Sequence, residues 1–320
     1  MNIAEKLIHK IDGFQRRYRL PAFSYAVVKK YGDDKAGYQA ALLTYYGFLS
    51  LFPLLLVLTT VAGLVARNNP HLQKSIIDSL TSYFPVLGTQ LSSHIQTLHK
   101  SGLALIIGIL FTLYGARGVA DAFRHGVNHI WQIPIQRRDG SYKAILKSLS
   151  LIVVGGLGLL VASVSAGIAG GAGHGLEFRL LSLLVNVFVL FWLFVFLLNV
   201  SLPRHVTIKE VRLGAVVAAI GLVILQSLGS YLLARELKSL DALYSNFAIP
   251  LGLLFWIYLQ AQVIYYAVEV ATVHVNGLWP RSLSGKDLTD ADKRAYTGQA
   301  KKEKVLPEER VDANFRSSRP

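Results

Sequence analysis

Long uncharged apolar windows limit this chain to folds that a lipid bilayer accepts. Residues 185–198 and 213–233 contain no charged side chain. A membrane-crossing helix needs about 20 mostly apolar residues, because its backbone polar groups must be satisfied within the segment. The chain is 52% hydrophobic and only 16% charged. These features predict an all-α integral membrane protein, with about six transmembrane helices in one bundle.

The chain divides into three regions. Residues 1–36 form a charged N-terminal segment, 37–275 a transmembrane domain, and 276–320 a charged tail with few aliphatic residues, a composition typical of disorder. Within 67–102, apolar residues recur at helical intervals in runs too broken to span, which predicts short amphipathic helices on the membrane or capping the bundle. We place the spans at about 40–65, 103–120, 148–169, 180–202, 212–234 and 248–270.

The N-terminal segment carries an amphipathic pattern. Its apolar residues recur at helical spacing with Lys and Arg between them, and Pro21 is predicted to end the pattern. One interpretation is a helix lying on an anionic membrane surface; the other is a helix packed against the bundle. The apolar positions are Ile3, Leu7, Ile8, Ile11 and Phe14.

The distribution of basic residues predicts the orientation. Of the 33 Lys and Arg residues, 27 lie in 1–36, in 117–147, in 203–212 and in the tail, whereas the alternate connections hold 6. Because an excess of basic residues marks the cytoplasmic side, both termini are predicted to be cytoplasmic. The net charge of +14 is then explained by topology and by attraction to anionic lipid headgroups. Membrane lipids are the expected partners, and nucleic acid is not.

A stripe of polar residues marks the last span. At about 100° per residue, its members fall within roughly 60° of one another. The stripe fits the lining of a hydrophilic cavity or substrate path, with Glu269 as its charged member. The alternative is a set of interhelical hydrogen bonds, with Glu269 in an ion pair for which Arg117 is the candidate partner. The stripe consists of Tyr258, Gln262, Tyr265 and Glu269.

The first span has a weaker counterpart, in which Gln39, Tyr46, Ser50 and Pro53 share one face. Pro53 lies near the middle of the span, where a proline frees a carbonyl and tends to kink the helix. Such a kink either forms a hinge or binding site at the midplane or serves packing alone. These four residues are further candidates for the cavity.

Two other patterns have competing explanations. Asp121, His125 and His129 are spaced four apart, so they share a helical face and are candidate metal ligands, although chance produces such spacing easily. No metal or other cofactor is expected. Small residues in the third and fifth spans, such as Gly158 and Gly214, predict close helix packing within one chain or in a homo-oligomer.

Several segments together resemble the YihY/virulence factor BrkB family. The run Ala40–Leu54, AALLTYYGFLSLFPL, resembles the family's opening signature, and the similarity covers about residues 25–275. The other matching segments are Asn128–Trp131 followed by Arg137 and Arg138, Leu202–Pro203, Gly214–Ala215, and Leu254–Gln262 with Glu269.

The resemblance implies a six-helix bacterial inner-membrane protein linked to envelope integrity and to movement of lipids or other envelope components. Our first hypothesis is therefore a transporter or lipid-handling protein. The second is a scaffold whose N-terminal segment and tail recruit cytoplasmic partners. The third is a membrane-bound hydrolase using Asp121, His125 and His129, as in the label ribonuclease BN that the family has carried. The sequence does not support that label, because its carboxylates are scattered and mostly terminal.

Overall fold

The chain forms helices throughout the part that the structure describes. A computed structural model describes residues 3–66, 102–170, 176–203, 206–244, 248–283, 285 and 287–315. In these ranges it has nine α-helices, a short 3-10 helix and no strand, which confirms the all-α fold class. The helices are α1 (Ile3–Arg17), α2 (Arg19–Asp33), α3 (Ala36–Ala66), α4 (Gly102–Ile130), α5 (Ser141–Gly170), α6 (Leu176–Ser201), α7 (Ile208–Tyr244), α8 (Ala248–Val275) and α9 (Asp290–Lys302), with the 3-10 helix at Ile135–Arg137.

Each predicted span falls, to within one residue, on one of the long helices α3 to α8. Four of these contain segments long and apolar enough to cross a membrane: Ser141–Leu159, Leu180–Ser201, Ile208–Gly229 and Ala248–Val275. That result concerns the described residues alone, so the count of six spans stays a prediction. The short amphipathic helices predicted between the first two spans fall on residues 67–101, which lie outside the described residues.

The six long helices pack in chain order around one bundle. Each of α3 to α7 contacts the next helix, and α8 closes the bundle against α3. Gly214 of α7 shows how closely the backbones approach, since a Cβ added there would lie 2.8 Å from the carbonyl oxygen of Ala267 in α8. This confirms the close packing predicted for the fifth span, and it places Gly214 in a contact within one chain.

Four segments predicted to share one side of the membrane lie together at one end of the bundle, which we call the polar end. His129, at the end of α4, contacts the Asp34 carbonyl at 2.9 Å, and Asn128 donates to the carbonyl of Ser201 in α6 at 2.8 Å. The backbone N–H of Gln136 donates to the Lys304 carbonyl at 3.1 Å. The N-terminal helices, both connections and the tail therefore meet, although which side of the membrane they face stays a prediction.

The N-terminal segment forms two helices rather than one pattern ended by Pro21. The break is at Tyr18, which caps α2, and Pro21 lies in the first turn of α2. The prediction is wrong because the first amides of a helix make no intrahelical hydrogen bond, so a proline is tolerated there. Ile11 and Phe14 of α1 are exposed, whereas Asp12 is buried against the tail.

The disorder predicted for the tail is wrong for residues 290–302, which form α9. Thr289 accepts a hydrogen bond from the Asp292 amide at 3.1 Å, and Asp292 accepts one from the Thr289 amide at 3.0 Å, which is a capping box. Ala291 and Ala295 are buried. Composition failed here because α9 packs through alanines and paired charges instead of large aliphatic side chains.

Replacing Thr289 by Ala is expected to loosen α9. Losing an N-cap side chain costs about 1 kcal/mol, which corresponds to roughly fivefold faster opening of the helix. Amide hydrogen exchange of the purified protein, read over residues 290–302, measures this change. Lys293→Ala, on the exposed side of α9, is the matched control. Equal exchange in the two variants would contradict the capping role.

Candidate functional site

A buried lysine joins three parts of the polar end. Lys30 donates to the Asp34 carboxylate, to Glu269 Oε2 at 2.8 Å and to the carbonyl of Ile130 at 2.8 Å. These bonds use all three donors of an ammonium group. None of the three charged side chains is more than 1% exposed. We call Lys30, Asp34 and Glu269 the Lys30 cluster.

The helix geometry explains why these residues meet. Lys30 and Asp34 are one turn apart, at the end of α2, so they lie on the same face. The ring of Tyr31 stacks on Tyr266 of α8 with centroids 3.9 Å apart. Because α2 and α8 contact each other along this face, the residue one turn from Tyr266, Glu269, lies opposite Lys30.

Charge pairing keeps Lys30 ionised in its buried position. Isolated charges cost several kcal/mol to bury, unless partners compensate. Burial acts to lower the pKa of Lys30, but the charges of Glu269 and Asp34 outweigh burial and raise that pKa above its ordinary value. Nearby, Lys302 Nζ lies 3.9 Å from Asp34 Oδ1. Two cations therefore face two carboxylates.

Neutral amides complete the shell of Asp34. Gln299 of α9 donates to Asp34 Oδ1 at 3.2 Å, and Gln132 donates to the same oxygen at 3.4 Å. Asp34 thus contacts α9 and the segment after α4 through one oxygen, while the other oxygen binds Lys30.

Polar side chains of α2 and α8 meet beside the Lys30 cluster. Burial, together with the neighbouring Tyr258 and Tyr266, raises the pKa of Tyr31 to about 12, although a hydrogen bond with Gln262 acts to lower it. Glu269 Oε1 is buried and has no hydrogen-bond partner among the described residues. We call these five residues, Tyr31, Tyr258, Gln262, Tyr266 and Glu269, the α2–α8 polar face.

The ion-pair partner suggested for Glu269 is wrong. Arg117 is 60% exposed and lies 3.7 Å from Asp121, one turn along its own helix. Lys30, and not Arg117, forms the ion pair with Glu269. Arg117 was a candidate because it lies in a predicted span, whereas the actual partner comes from the N-terminal segment.

The predicted stripe of the last span divides between two neighbours. Tyr258, Gln262 and Glu269 contribute to the α2–α8 polar face. The hydroxyl of Tyr265, in contrast, donates to the carbonyl of Ala122 in α4 at 3.2 Å. Tyr265 therefore makes the interhelical hydrogen bond that the alternative interpretation described.

Residues of the first span do not share one surface. Tyr46 and Ser50 contact α4, where a Cβ added to Gly118 or Gly115 would lie less than 3 Å from them. Both side chains therefore lie in the α3–α4 packing contact. Gln39 lines a cavity at the polar end, and Pro53 lies within α3 with its side chain outside the described residues.

The three candidate metal ligands do not converge. Asp121 accepts from Ser148 at 2.6 Å, and His125 Nδ1 contacts the Asp121 carbonyl at 2.7 Å. His129 faces Asp34 instead. In the described part of the chain, no three His, Asp or Glu side chains are placed to hold a metal ion.

A cavity of about 420 Å³ opens beside the 3-10 helix, and a second, of about 410 Å³, opens directly over the Lys30 cluster. We call the second the Asp34 cleft, because Asp34 connects it to the cluster. Its lining comes from the α2–α3 turn, the start of α3, the end of α4 and the end of α9. The lining residues are Asp33, Asp34, Lys35, Tyr38, Gln39, His129, Gln299, Lys302 and Glu303.

A second ionic contact fixes α9 to the N-terminal helices. Buried Arg281 donates from Nε to Asp292 at 2.5 Å and from Nη2 to Asp33 at 2.8 Å. Burial acts to raise the pKa of Asp292, but Arg281 and the amides of Ser282 and Thr289 outweigh burial and lower that pKa to about 2. We call Arg281, Asp33 and Asp292 the Arg281 anchor.

The sequence argument missed Lys30, Asp34, Arg281 and Asp292. Two signals were present in the sequence. Lys30 and Asp34 are opposite charges spaced four apart on a helical pattern, and Thr289 precedes Asp292 by three residues, which is the spacing of a capping box. The pairing with Glu269 and Arg281 spans more than 200 residues of chain, so no local pattern marks it.

A model of the Virulence factor BrkB family matches residues 27–284. The chain belongs to this family. The match confirms the resemblance found in the sequence, and it includes the whole Lys30 cluster but not α9. No solved structure matches the chain.

Two relatives of this BrkB-family chain carry membrane-protein names. Inner membrane protein YhjD of Escherichia coli (strain K12) is 25% identical over 264 residues, 75% of this chain and 77% of that protein. A UPF0761 membrane protein of Psychrobacter sp. (strain PRwf-1) is 24% identical over 92% of this chain, which spans only 59% of that relative. An uncharacterized protein of Dickeya dadantii (strain 3937) is 25% identical, with 82% and 87% covered. Together with its apolar helices, these matches identify a membrane protein.

Replacing Lys30 by Met is expected to destabilise the fold strongly. Removing one partner of a buried ion pair costs about 3–5 kcal/mol, because two carboxylates then remain without their cation. The double variant Lys30→Met, Glu269→Leu removes one of those carboxylates and should recover part of the loss. Thermal unfolding in detergent measures both, with Lys35→Met as the exposed control. A double variant no more stable than the single one would contradict charge compensation.

The Arg281 anchor predicts a dependence of stability on pH. Because the folded pKa of Asp292 is about 2, below its ordinary value of 3.8, its carboxylate stabilises the fold near neutral pH. That contribution is lost as the pH falls through about 4 towards 2, and amounts to about 2 kcal/mol in full. The stability difference between wild type and Asp292→Asn should shrink by about 1 kcal/mol between pH 6 and pH 3. A difference independent of pH would refute the assignment.

Proposed function

We propose that this BrkB-family protein moves a lipid, or another amphiphilic envelope component, along the α2–α8 polar face at the bacterial inner membrane. The proposal depends on one observation, the environment of Glu269 Oε1. This carboxyl oxygen is buried, lies on an apolar helix and has no hydrogen-bond partner among the described residues. A buried acceptor without a partner costs about 1–3 kcal/mol. Polar groups of this kind in membrane helices characteristically mark substrate or ion paths.

The residues around Glu269 support a substrate path rather than a single unsatisfied polar group. Tyr258 and Gln262 lie at earlier turns of α8, and each is only half-buried. Tyr31 of α2 faces both of them. Hydroxyl, amide and carboxylate groups therefore follow one another along the helix towards the polar end, where a headgroup or water satisfies them.

The proposal includes the cytoplasmic orientation of the polar end. The four segments rich in Lys and Arg lie at that end, and an excess of basic residues marks the cytoplasmic side. Basic residues there attract anionic headgroups, at about 1 kcal/mol for each residue near the surface. No catalytic step or cofactor is part of this proposal.

The scaffold hypothesis needs a different test from the one the sequence suggested. Deleting 283–320 would remove Asp292 and Lys302, which pair with Lys29 and Asp34 of the N-terminal segment. Loss of function in that deletion would therefore report damage to the polar end. Deleting 305–320 keeps α9, so a loss of envelope function in this shorter deletion, with lipid flux retained, would favour a scaffold.

Two glutamines of α8 offer a matched test of transport. Gln262→Leu and Glu269→Gln should lower flux of a labelled phospholipid in proteoliposomes by about tenfold, which corresponds to ~1.4 kcal/mol. Gln260→Leu, the same change two residues away and outside the polar face, should leave flux unchanged. Flux is measured with and without a proton gradient, and reconstitution and orientation are verified for each variant. Equal flux in wild type and all three variants would sink the proposal.

A further inference from the structure

The Asp34 cleft has charged groups that the fold itself does not use. Asp34 binds Lys30, and Asp33 binds Arg281. Lys35 lines the same cleft, and among the described residues its side chain forms no ion pair or hydrogen bond. Packing therefore explains the buried carboxylate but not the neighbouring lysine.

The backbone at the cleft is strained in two places. Lys35 has a φ of +52° and Gln132 has a φ of +55°. Residues with a Cβ adopt this left-handed conformation at a cost of about 1–2 kcal/mol, which a glycine would avoid. Gln132 uses its side chain to bind Asp34. Lys35 has no such internal role, so its side chain is available to a ligand.

His129 Nε2 has two polar neighbours in the cleft. It lies 2.9 Å from the carbonyl oxygen of Asp34 and 3.1 Å from the ammonium of Lys302. A ring nitrogen carries either a hydrogen or a lone pair, so it bonds to one of these two groups and not to both. When Nε2 donates to the carbonyl, the acceptor left to Lys302 among the described residues is Asp34 Oδ1, at 3.9 Å. An anionic oxygen in the cleft would give Lys302 a closer acceptor.

We propose that the Asp34 cleft binds the phosphate of a phospholipid headgroup, with Lys302 and Lys35 as its hydrogen-bond donors. This inference names the substrate class for the proposed function and rests on it to that extent. Lys302 is 8% exposed, so one donor is held in a fixed position, while Lys35 closes the cleft from the exposed side.

The position of the cleft selects a lipid over a free phosphate compound. Tyr38 and Gln39 line it and lie in the first turn of α3, whose predicted span begins at about residue 40. The cleft is therefore at the depth of the headgroups. Tyr38 is 74% exposed, as suits a tyrosine at a membrane interface.

Acidic residues in the lining select a zwitterionic headgroup. Asp33 and Glu303 line the cleft together with Asp34. A ligand carrying only negative charge would meet three carboxylates. A phosphoethanolamine group, in contrast, places its ammonium near the carboxylates and its phosphate near the two lysines.

Equilibrium binding to the purified full chain in detergent tests this site. The probes are dihexanoyl phosphatidylethanolamine, dihexanoyl phosphatidylglycerol, phosphoethanolamine and inorganic phosphate, titrated by calorimetry. The lipid ethanolamine should bind most tightly. Lys35→Gln and Lys302→Gln should each weaken it by about fivefold, the effect of one basic residue at a headgroup. Lys293→Gln, on the exposed side of α9, should bind as the wild type does.

Two results would overturn the inference. The first is binding unchanged in both Lys35→Gln and Lys302→Gln, or absent for every probe in the wild type. The second is phosphoethanolamine or phosphate binding as tightly as the lipid, which would assign the cleft to a free phosphate compound. Headgroup binding and lipid flux are measured in separate experiments. A wild-type protein that shows normal flux but binds no probe therefore overturns the proposed headgroup site alone. Normal binding with no flux overturns the transport proposal alone.

Discussion

One buried ammonium group determines how the polar end is built. Lys30 needs three acceptors once it is buried, and it finds them on α2, on α8 and at the end of α4. Each acceptor fixes one element relative to the others, because a buried charge left without a partner costs several kcal/mol. The Arg281 anchor then adds the tail to the same assembly.

The helices could be predicted from patterns within each segment. The site could be predicted only in part, because its ion-pair partners lie far apart in the sequence. A segment that crosses lipid must satisfy its own backbone, which predicts a helix, and each of the six predicted spans lies, to within one residue, on one of the helices α3 to α8. Helical periodicity likewise placed Tyr258, Gln262 and Glu269 on one face. It could not identify Lys30, because that partner lies 239 residues away from Glu269. Arg117 was chosen from within the spans and points elsewhere.

The tail shows how composition misleads when charges are paired. Residues after Trp279 have too few aliphatics to form a hydrophobic core, which is why disorder was predicted. α9 needs little apolar area, since Ala295 packs against α2, while Asp292 pairs with Lys29 and Lys302 with Asp34. The spacing of Thr289 and Asp292 was the local signal that favours a helix start. The family match ends at residue 284, so this element lies outside the matched region.

Asp34 connects the cleft to the polar face, and this sharing has a thermodynamic consequence. Its Oδ1 lies near Lys302 in the cleft, while its other oxygen binds the same Lys30 that binds Glu269. An anion that accepts a hydrogen bond from Lys302 weakens the interaction between Lys302 and Asp34. Asp34 then interacts more strongly with Lys30, and Lys30 interacts correspondingly less with Glu269. Coupling between two sites is reciprocal. Substrate binding beside Glu269 must therefore change the affinity of the cleft for a headgroup by a certain factor. An occupied cleft must change the affinity for substrate beside Glu269 by the same factor.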